Sequence, residues 1–269
     1  MNSLDRINIV QKINSGGTAN VFLAIDMDTG FPVAVKELLP GHFKNLFVKQ
    51  KFKEEANHYL YLNHPNIVKL NNYIEKENSV YLLMEYIEGK NLFDYMSKGT
   101  GPMPIQNVAL FVSEILDALI YVHNQGLAHL DIKPSNIMLS SNDQIKLIDF
   151  GISDAKNTVK NETITGTPSY MSPEQIEGLN VDFRSDIYSL GITMYELITG
   201  YLPFKEAKSR DELFTLIKAG KIPLIKSVHH FDKILEEKVN FIIQKACQKK
   251  PELRFQSCEE FQKFIKELL

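Results

Sequence analysis

The stretch "HLDIKPSN", His129 to Asn136, sets Asp131, Lys133 and Asn136 within six positions. Asp149 follows at the end of the apolar run "IKLIDF" and is itself followed by Phe150 and Gly151. A carboxylate at the end of an apolar strand can hold a hard divalent cation at the mouth of a cleft. Two separate carboxylates and one amide oxygen are the groups that a phosphate-bound cation and a nearby hydroxyl nucleophile need. One Asp-Phe-Gly triplet occurs by chance. The ordered set of Asp131, Asn136 and Asp149 is a much stronger signal.

Two stretches upstream add to it. In "INSGGTANVFLA" the small residues from Ser15 to Ala19 lie between two strands, where backbone amides can approach an anion closely. A plain hairpin turn would use the same residues. In "VAVK", alternation sends Val33 and Val35 one way and Ala34 and Lys36 the other. A lysine sharing a face with a small alanine suits a cation above an apolar slot; the bland alternative is an ordinary surface lysine.

The elements that position these residues change character along the chain. "NVFLAID" and "FPVAVKEL" read as strands joined through Asp28, Thr29 and Gly30. A helix is expected over about residues 47–62, then strands at "NIVKLNNYI" and "SVYLLMEYI". "IQNVALFVSEILDALIYVHNQG" is apolar on nearly every face and stops at Gly126, which predicts a buried helix with a glycine cap. Short strands "NIML" and "IKLIDF" follow, and from Pro173 onward the pattern is helical. A sheet-rich first part and a helix-rich second part, with the motifs near their junction, predict a bilobal enzyme with an interlobe cleft. The boundary is expected near residue 86, giving lobes of 1–86 and 87–269.

Composition narrows the class. The 269 residues are 44% hydrophobic and 23% charged, with a net charge of −3. These values suit a globular protein and give no support for a nucleic-acid or anionic-membrane surface. Two cysteines, Cys247 and Cys258, cannot build a disulfide framework or a zinc site alone, so both are expected to be reduced. The opening "MNSLDRINIV" lacks the features of a secretory signal, and no uncharged apolar run reaches 18 residues. A cytoplasmic chain without a membrane segment is the expectation.

Glycine loop, strand lysine, helix glutamate, "HLDIKPSN", "LIDFG", "GTPSYMSPEQ" and the Asp186 of "SDIYSLG" occur in one order. In that order the sequence resembles a eukaryotic-like serine/threonine protein kinase, over essentially its whole length and closest in flavour to bacterial members. The resemblance implies an α+β, bilobal protein-kinase fold: an antiparallel sheet lobe with one main helix, then a mostly helical lobe. It implies that ATP and Mg²⁺, or Mn²⁺ in its place, are used to phosphorylate protein substrates.

Roles carry over residue by residue. Lys36 would pair with the α/β-phosphates and with Glu55, Glu54 being the neighbouring alternative. Asp131 would be the catalytic base, Lys133 would neutralise the transferring phosphoryl group, and Asn136 and Asp149 would bind the metal. Thr167 in "GTPSY" and Lys133 in "DIKPSN" match the serine/threonine-specific pattern. The phosphate-facing loop would comprise Ile13, Asn14, Ser15, Gly16, Gly17, Thr18, Ala19, Asn20 and Val21. Val21, Ala34 and Met138 would sandwich adenine, with Met84 as gatekeeper and Glu85 to Ile87 as hinge. Tyr59, Leu70, His129 and Phe150 match a stacked spine anchored by Asp186, and Glu174 with Arg254 match a pair that pins the activation segment.

Three departures qualify the match. The glycine positions read Asn14, Gly16 and Ala19, which implies weaker ATP affinity but retained binding; asparagine tolerates left-handed backbone angles. Leu130 stands where much of the family has an arginine that holds an activation-loop phosphate. That arginine touches neither ATP nor the accepting hydroxyl, so a non-RD kinase is implied, with its loop ordered by other means. Thr163 and Thr165 remain candidate autophosphorylation sites. Asn91 and Ser135 replace acidic residues of basophilic relatives, so a strong requirement for an upstream arginine in the substrate is unsupported. The rival readings are an ATP-binding pseudokinase scaffold, opposed by the intact Lys36, Glu55, Asp131, Asn136 and Asp149, and a small-molecule phosphotransferase, opposed by "GTPSYMSPE".

Overall fold

The computed structural model describes residues 4–16, 19–39, 41, 46–76, 79–97, 101–149, 153–154, 167–226 and 233–269. The chain forms two compact units, Met1–Glu88 and Gly89–Leu269.

The first unit contains strands β1 (Ile7–Ser15), β2 (Ala19–Asp26) and β3 (Pro32–Leu38), helix α1 (Leu46–Tyr59), and strands β4 (Leu70–Lys76) and β5 (Ser79–Glu85). They make one antiparallel five-stranded sheet in the order β1-β2-β3-β5-β4. The β2–β3 turn uses the residues expected of it. The Asp26 carboxylate accepts from the Asp28 amide, Thr29 Oγ1 accepts from the Phe31 amide, and Gly30 takes φ 73°. β4 starts at Leu70 rather than at Asn66. Pro65 lacks an N–H, and the Ile67 amide closes a turn on the His64 carbonyl at 3.1 Å, so ladder pairing begins only afterwards.

The second unit opens with β6 (Gly89–Asn91), α2 (Leu92–Tyr95), α3 (Ile105–Asn124), β7 (Leu127–Ala128), β8 (Ile137–Ser140), β9 (Ile145–Leu147) and β10 (Ser153–Asp154). It continues with α4 (Pro173–Glu177), α5 (Arg184–Thr199), α6 (Arg210–Ala219), α7 (Lys233–Ala246) and α8 (Cys258–Lys266). β6, β8 and β9 pair as one small sheet, and β7 pairs with β10 as another. Glycine at 89 is a steric requirement: a Cβ there would meet the Leu139 carbonyl oxygen at 2.1 Å, so only glycine lets β6 approach β8.

Two helices form the core of this unit. α5 is buried along its length from Ser185 to Thr199, and α3 buries nine residues from Ile105 to Val122. α3 is the one helix among the described residues long and apolar enough to cross a bilayer. Within this unit it serves as a core helix against α5 and α8, so its apolarity has a packing explanation. It ends at Asn124, and Gly126 follows at φ 76° with its amide on the His123 carbonyl, as the glycine-cap reading expects.

Candidate active site

In the first unit, strand register collects the nucleotide-facing candidates. Val21 sits opposite Lys36, and Ala34 sits opposite Met84. Cross-strand partners share a face, and Ala34 and Lys36 are two residues apart, so all four side chains lie on one face of the sheet. Ala34 and Met84 are buried there, while Val21 and Lys36 are partly exposed. The Lys36 ammonium lies 5.5 Å from the centroid of the Phe52 ring on α1, which puts the lysine against that helix. The Glu55 side chain lies outside the described residues. Glu54 is exposed and accepts a 2.8 Å hydrogen bond from Gln50 within the helix. Glu85 makes both a backbone and a side-chain bond to Lys69: its amide donates to the Lys69 carbonyl, and its carboxylate accepts from the Lys69 amide. Ile87 is partly exposed in the segment that follows β5.

The hairpin tip is held by side chains. The Asn14 amide oxygen accepts from Ser15 N at 2.8 Å, Ser15 Oγ donates to Asn20 at 2.9 Å, and Gly16 N donates to the Ala19 carbonyl at 2.8 Å. Ile13 falls in the register shift between Lys12 and Asn14. Gly17 and Thr18 lie outside the described residues. Asn14 is an ordinary strand residue; the described non-glycine residues with positive φ are Leu130, Asp143 and Asp149. Its contribution to the tip is the side-chain acceptor, not a left-handed backbone.

In the second unit, "HLDIKPSN" folds into a tightly bonded loop. Lys133 Nζ donates to both Asp131 carboxylate oxygens, at 2.9 and 2.7 Å, and to Thr167 Oγ1 at 3.3 Å. Asn136 Nδ2 donates to the Asp131 carbonyl at 2.9 Å and to Asp131 Oδ2 at 2.8 Å. Both of those partners only accept, so the Asn136 amide nitrogen must face them and its oxygen points elsewhere. The Ile148 amide donates to the Asn136 carbonyl at 2.9 Å, which brings Asp149 next in chain to the loop. Asp131, Lys133, Asn136 and Thr167 are thus brought together. Met138 sits on β8 opposite Asn91 of β6. Asn91 caps α2 by accepting from the Asp94 amide at 2.7 Å, a structural use of that side chain.

The loop is anchored from beneath. The Asp186 carboxylate, fully buried at the start of α5, accepts from the His129 amide at 2.8 Å and the Leu130 amide at 2.7 Å. His123 of α3 adds a third contact at 2.8 Å through Nε2. Burial alone would push the Asp186 carboxyl up, but the bond from His123 and the neighbouring amides bring it below its ordinary value. Burial pushes the His129 imidazole down, which favours its neutral form. Phe150, the other spine residue assigned to this region, lies outside the described residues, as do Thr163 and Thr165.

Two features of this site escape a reading of residue types. Leu130 and Asp149 both adopt left-handed backbone angles, φ 61° and 54°. Such strain concentrates at functional loops, and no residue type in the sequence announces it. The second is Gln175, whose Nε2 donates to the Leu130 carbonyl at 3.1 Å. The sequence signal was partial: Ser172 and Gln175 have capping-box spacing, which accounts for the oxygen of that amide but not for its nitrogen.

The protein kinase domain family matches residues 7–265. The serine/threonine-protein kinase PknB of Mycobacterium leprae is 34% identical over 95% of this chain and 42% of its own length. A probable serine/threonine-protein kinase of Clostridium acetobutylicum is 35% identical over 95% of this chain and 39% of its own. PrkC of Bacillus subtilis is 33% identical over 97% of this chain and 40% of its own. The chain therefore spans about two fifths of the length of these curated relatives. Since the matched stretch takes in the sheet, the loop and its anchor together, the chain belongs to the protein kinase family.

Proposed function

We propose that this chain transfers the γ-phosphate of ATP to serine or threonine hydroxyls of protein substrates. One observation carries the reading: the Lys133 ammonium bridges the Asp131 carboxylate and the Thr167 hydroxyl. Thr167 opens the "TPSY" segment, so a polypeptide-receiving segment and the loop bearing the base meet at one cation. The relatives' printed names support the same specificity.

Asp131 is the base. Its Oδ2 takes two bonds and its Oδ1 one among the described residues, which leaves acceptor capacity for a substrate hydroxyl. Lys133 holds that carboxylate in place and carries the positive charge that a transferring phosphoryl group needs beside it. On the face of the first unit's sheet, Val21 and Ala34 take the adenine, with Met84 as gatekeeper and Glu85 to Ile87 as hinge, and Lys36 takes the phosphates.

Asn136 and Asp149 fit a hard divalent cation. Oxygen donors suit such an ion, and the Asn136 nitrogen is already committed to Asp131, leaving its oxygen for the metal. A divalent cation such as Mg²⁺ or Mn²⁺, held by these two residues, would supply positive charge against the phosphates.

Labelling with radioactive ATP and Mg²⁺ tests this reading, with Lys36→Met and Asp149→Asn as controls. Wild type is expected to label itself or a generic protein substrate, and both variants are expected to fall to background. An unlabelled wild type would favour a binding scaffold instead.

Loop order in this enzyme does not depend on a phosphate held at position 130, because Leu130 cannot form the ion pair. Thr163→Ala and Thr165→Ala, alone or together, are therefore expected to lower kcat only modestly. A fall of more than about 100-fold, roughly 2.7 kcal/mol of transition-state stabilisation, would show that a phosphate there is essential.

A further inference from the structure

We propose that Gln175 is a positioning residue: its amide clasps the catalytic loop to helix α4 and thereby holds the peptide that carries Asp131. The inference rests on the phosphotransfer reading above and specifies how the base of that site is held in place.

Leu130 needs restraint from both sides. A leucine at φ 61° sits in the left-handed region, which is strained for a residue bearing a Cβ. Its amide donates to Asp186 on α5, and its carbonyl accepts from Gln175 on α4, so both backbone polar groups end on side chains. The carbonyl of Leu130 shares a peptide plane with the amide of Asp131. Holding that carbonyl fixes the orientation of the peptide that carries the base.

Both ends of the Gln175 amide are engaged. Its oxygen accepts from Ser172 N at 2.9 Å and Ser172 Oγ at 3.1 Å, closing the capping box of α4. Its nitrogen donates to Leu130. Ser172 N can only donate and the Leu130 carbonyl can only accept, so the amide orientation is determined. α4 is itself fixed, because Glu174 is bonded to the buried Arg254 and to Ser185. The clasp thus ties the loop of Asp131 to a rigid part of the same unit without any phosphate.

The two halves of the amide can be separated. Gln175→Glu keeps a capping-box acceptor for Ser172 but places a carboxylate oxygen against the Leu130 carbonyl. Gln175→Lys keeps a donor for that carbonyl but removes the cap. Gln175→Ala removes both.

Amide hydrogen exchange on the full chain is the direct measurement, with melting temperature and steady-state kinetics beside it. In Gln175→Glu the segment 128–133 should exchange at least about tenfold faster while 173–177 is unchanged. Its kcat should fall about tenfold, about 1.4 kcal/mol, with KM for ATP unchanged. In Gln175→Lys the pattern should invert, with a lowered melting temperature and a protected loop.

Loop exchange in Gln175→Glu equal to wild type overturns the clasp. So does a loop in Gln175→Lys as fast as in Gln175→Ala, a comparison that decides the matter even where Gln175→Glu does not fold. If wild type transfers no phosphate, the phosphotransfer reading fails, while the exchange pattern still decides whether the clasp exists.

Discussion

Replacing Asp131 by asparagine is expected to lower kcat at least about a thousandfold, with KM for ATP changed no more than about threefold. The magnitude combines two losses. A positioned base contributes about 10² to 10⁴ in rate. Its carboxylate is also the ion-pair partner of Lys133, at 2.7 Å, so the variant frees that cation from its place beside Thr167. The asparagine can still accept from Lys133, but as a neutral group and with half the oxygen acceptors. Stability should change little, because the Asp131 side chain is about a third exposed and asparagine keeps an oxygen acceptor for Lys133. Steady-state kinetics with a peptide substrate checks the outcome. A fall of less than about tenfold would remove Asp131 from the role of base.

The largest effect on stability is expected at Arg254. Its side chain is fully buried and its nitrogens bond both Glu174 oxygens at 2.7 Å, together with the carbonyls of Gln248, Arg184 and Lys249. Arg254→Ala leaves the Glu174 carboxylate buried without its counter-ion, and three carbonyls lose a donor. Breaking a buried pair from one side costs about 3–5 kcal/mol, which predicts a melting temperature lower by roughly 10 °C. The double variant Glu174→Leu, Arg254→Met should recover part of that loss, since no buried charge remains.

The pH dependence follows from the same pair. Burial alone would push the Glu174 carboxyl up, but the Arg254 guanidinium and the Ser185 hydroxyl hold it below its ordinary value. A depressed carboxyl contributes stability above its unfolded pKa, and that contribution is lost as pH falls through the folded value. In Arg254→Ala the burial remains and its main counterweight is gone, the Ser185 hydroxyl alone still bonding the carboxylate, so protonation relieves the stranded charge. The deficit of the variant should therefore be widest near neutral pH, should start to narrow above about pH 4.3, the ordinary glutamate value, as pH falls through the raised value of the stranded carboxyl, and should narrow further below it as wild type loses its own contribution. Thermal melts across pH 3–8 measure it. A deficit that stays constant over that range would mean that Glu174 charge does not dominate the loss.

Both regions were legible in the sequence as motifs, and the fold class followed from them. Residue type and spacing were enough to single out Lys36, Asp131, Asn136 and Asp149 as candidates, because their chemistry restricts which residues can serve, while the resemblance to a protein kinase added Lys133 and Thr167. Long periodic elements such as α3 were also readable, since burying an apolar helix leaves a compositional record. β6, β7, β10 and α2 were not. Elements of two to four residues carry too little pattern, and they exist only because a neighbouring segment pairs with or caps them.

Tertiary structure alone decided two things about the site. It added Val21 and Met84 to the sheet face that alternation had already given Ala34 and Lys36, a result of register between strands that local sequence does not encode. It also showed what surrounds Leu130. From the sequence, the residue meant only that an arginine's phosphate contact is absent. In the fold it is a strained residue held through its backbone by Asp186, 56 positions away, and Gln175, 45 positions away. Side-chain identity sets which groups can react, and that information is local. What holds those groups in place is a set of backbone hydrogen bonds to distant side chains, and these are specified only when the chain has folded.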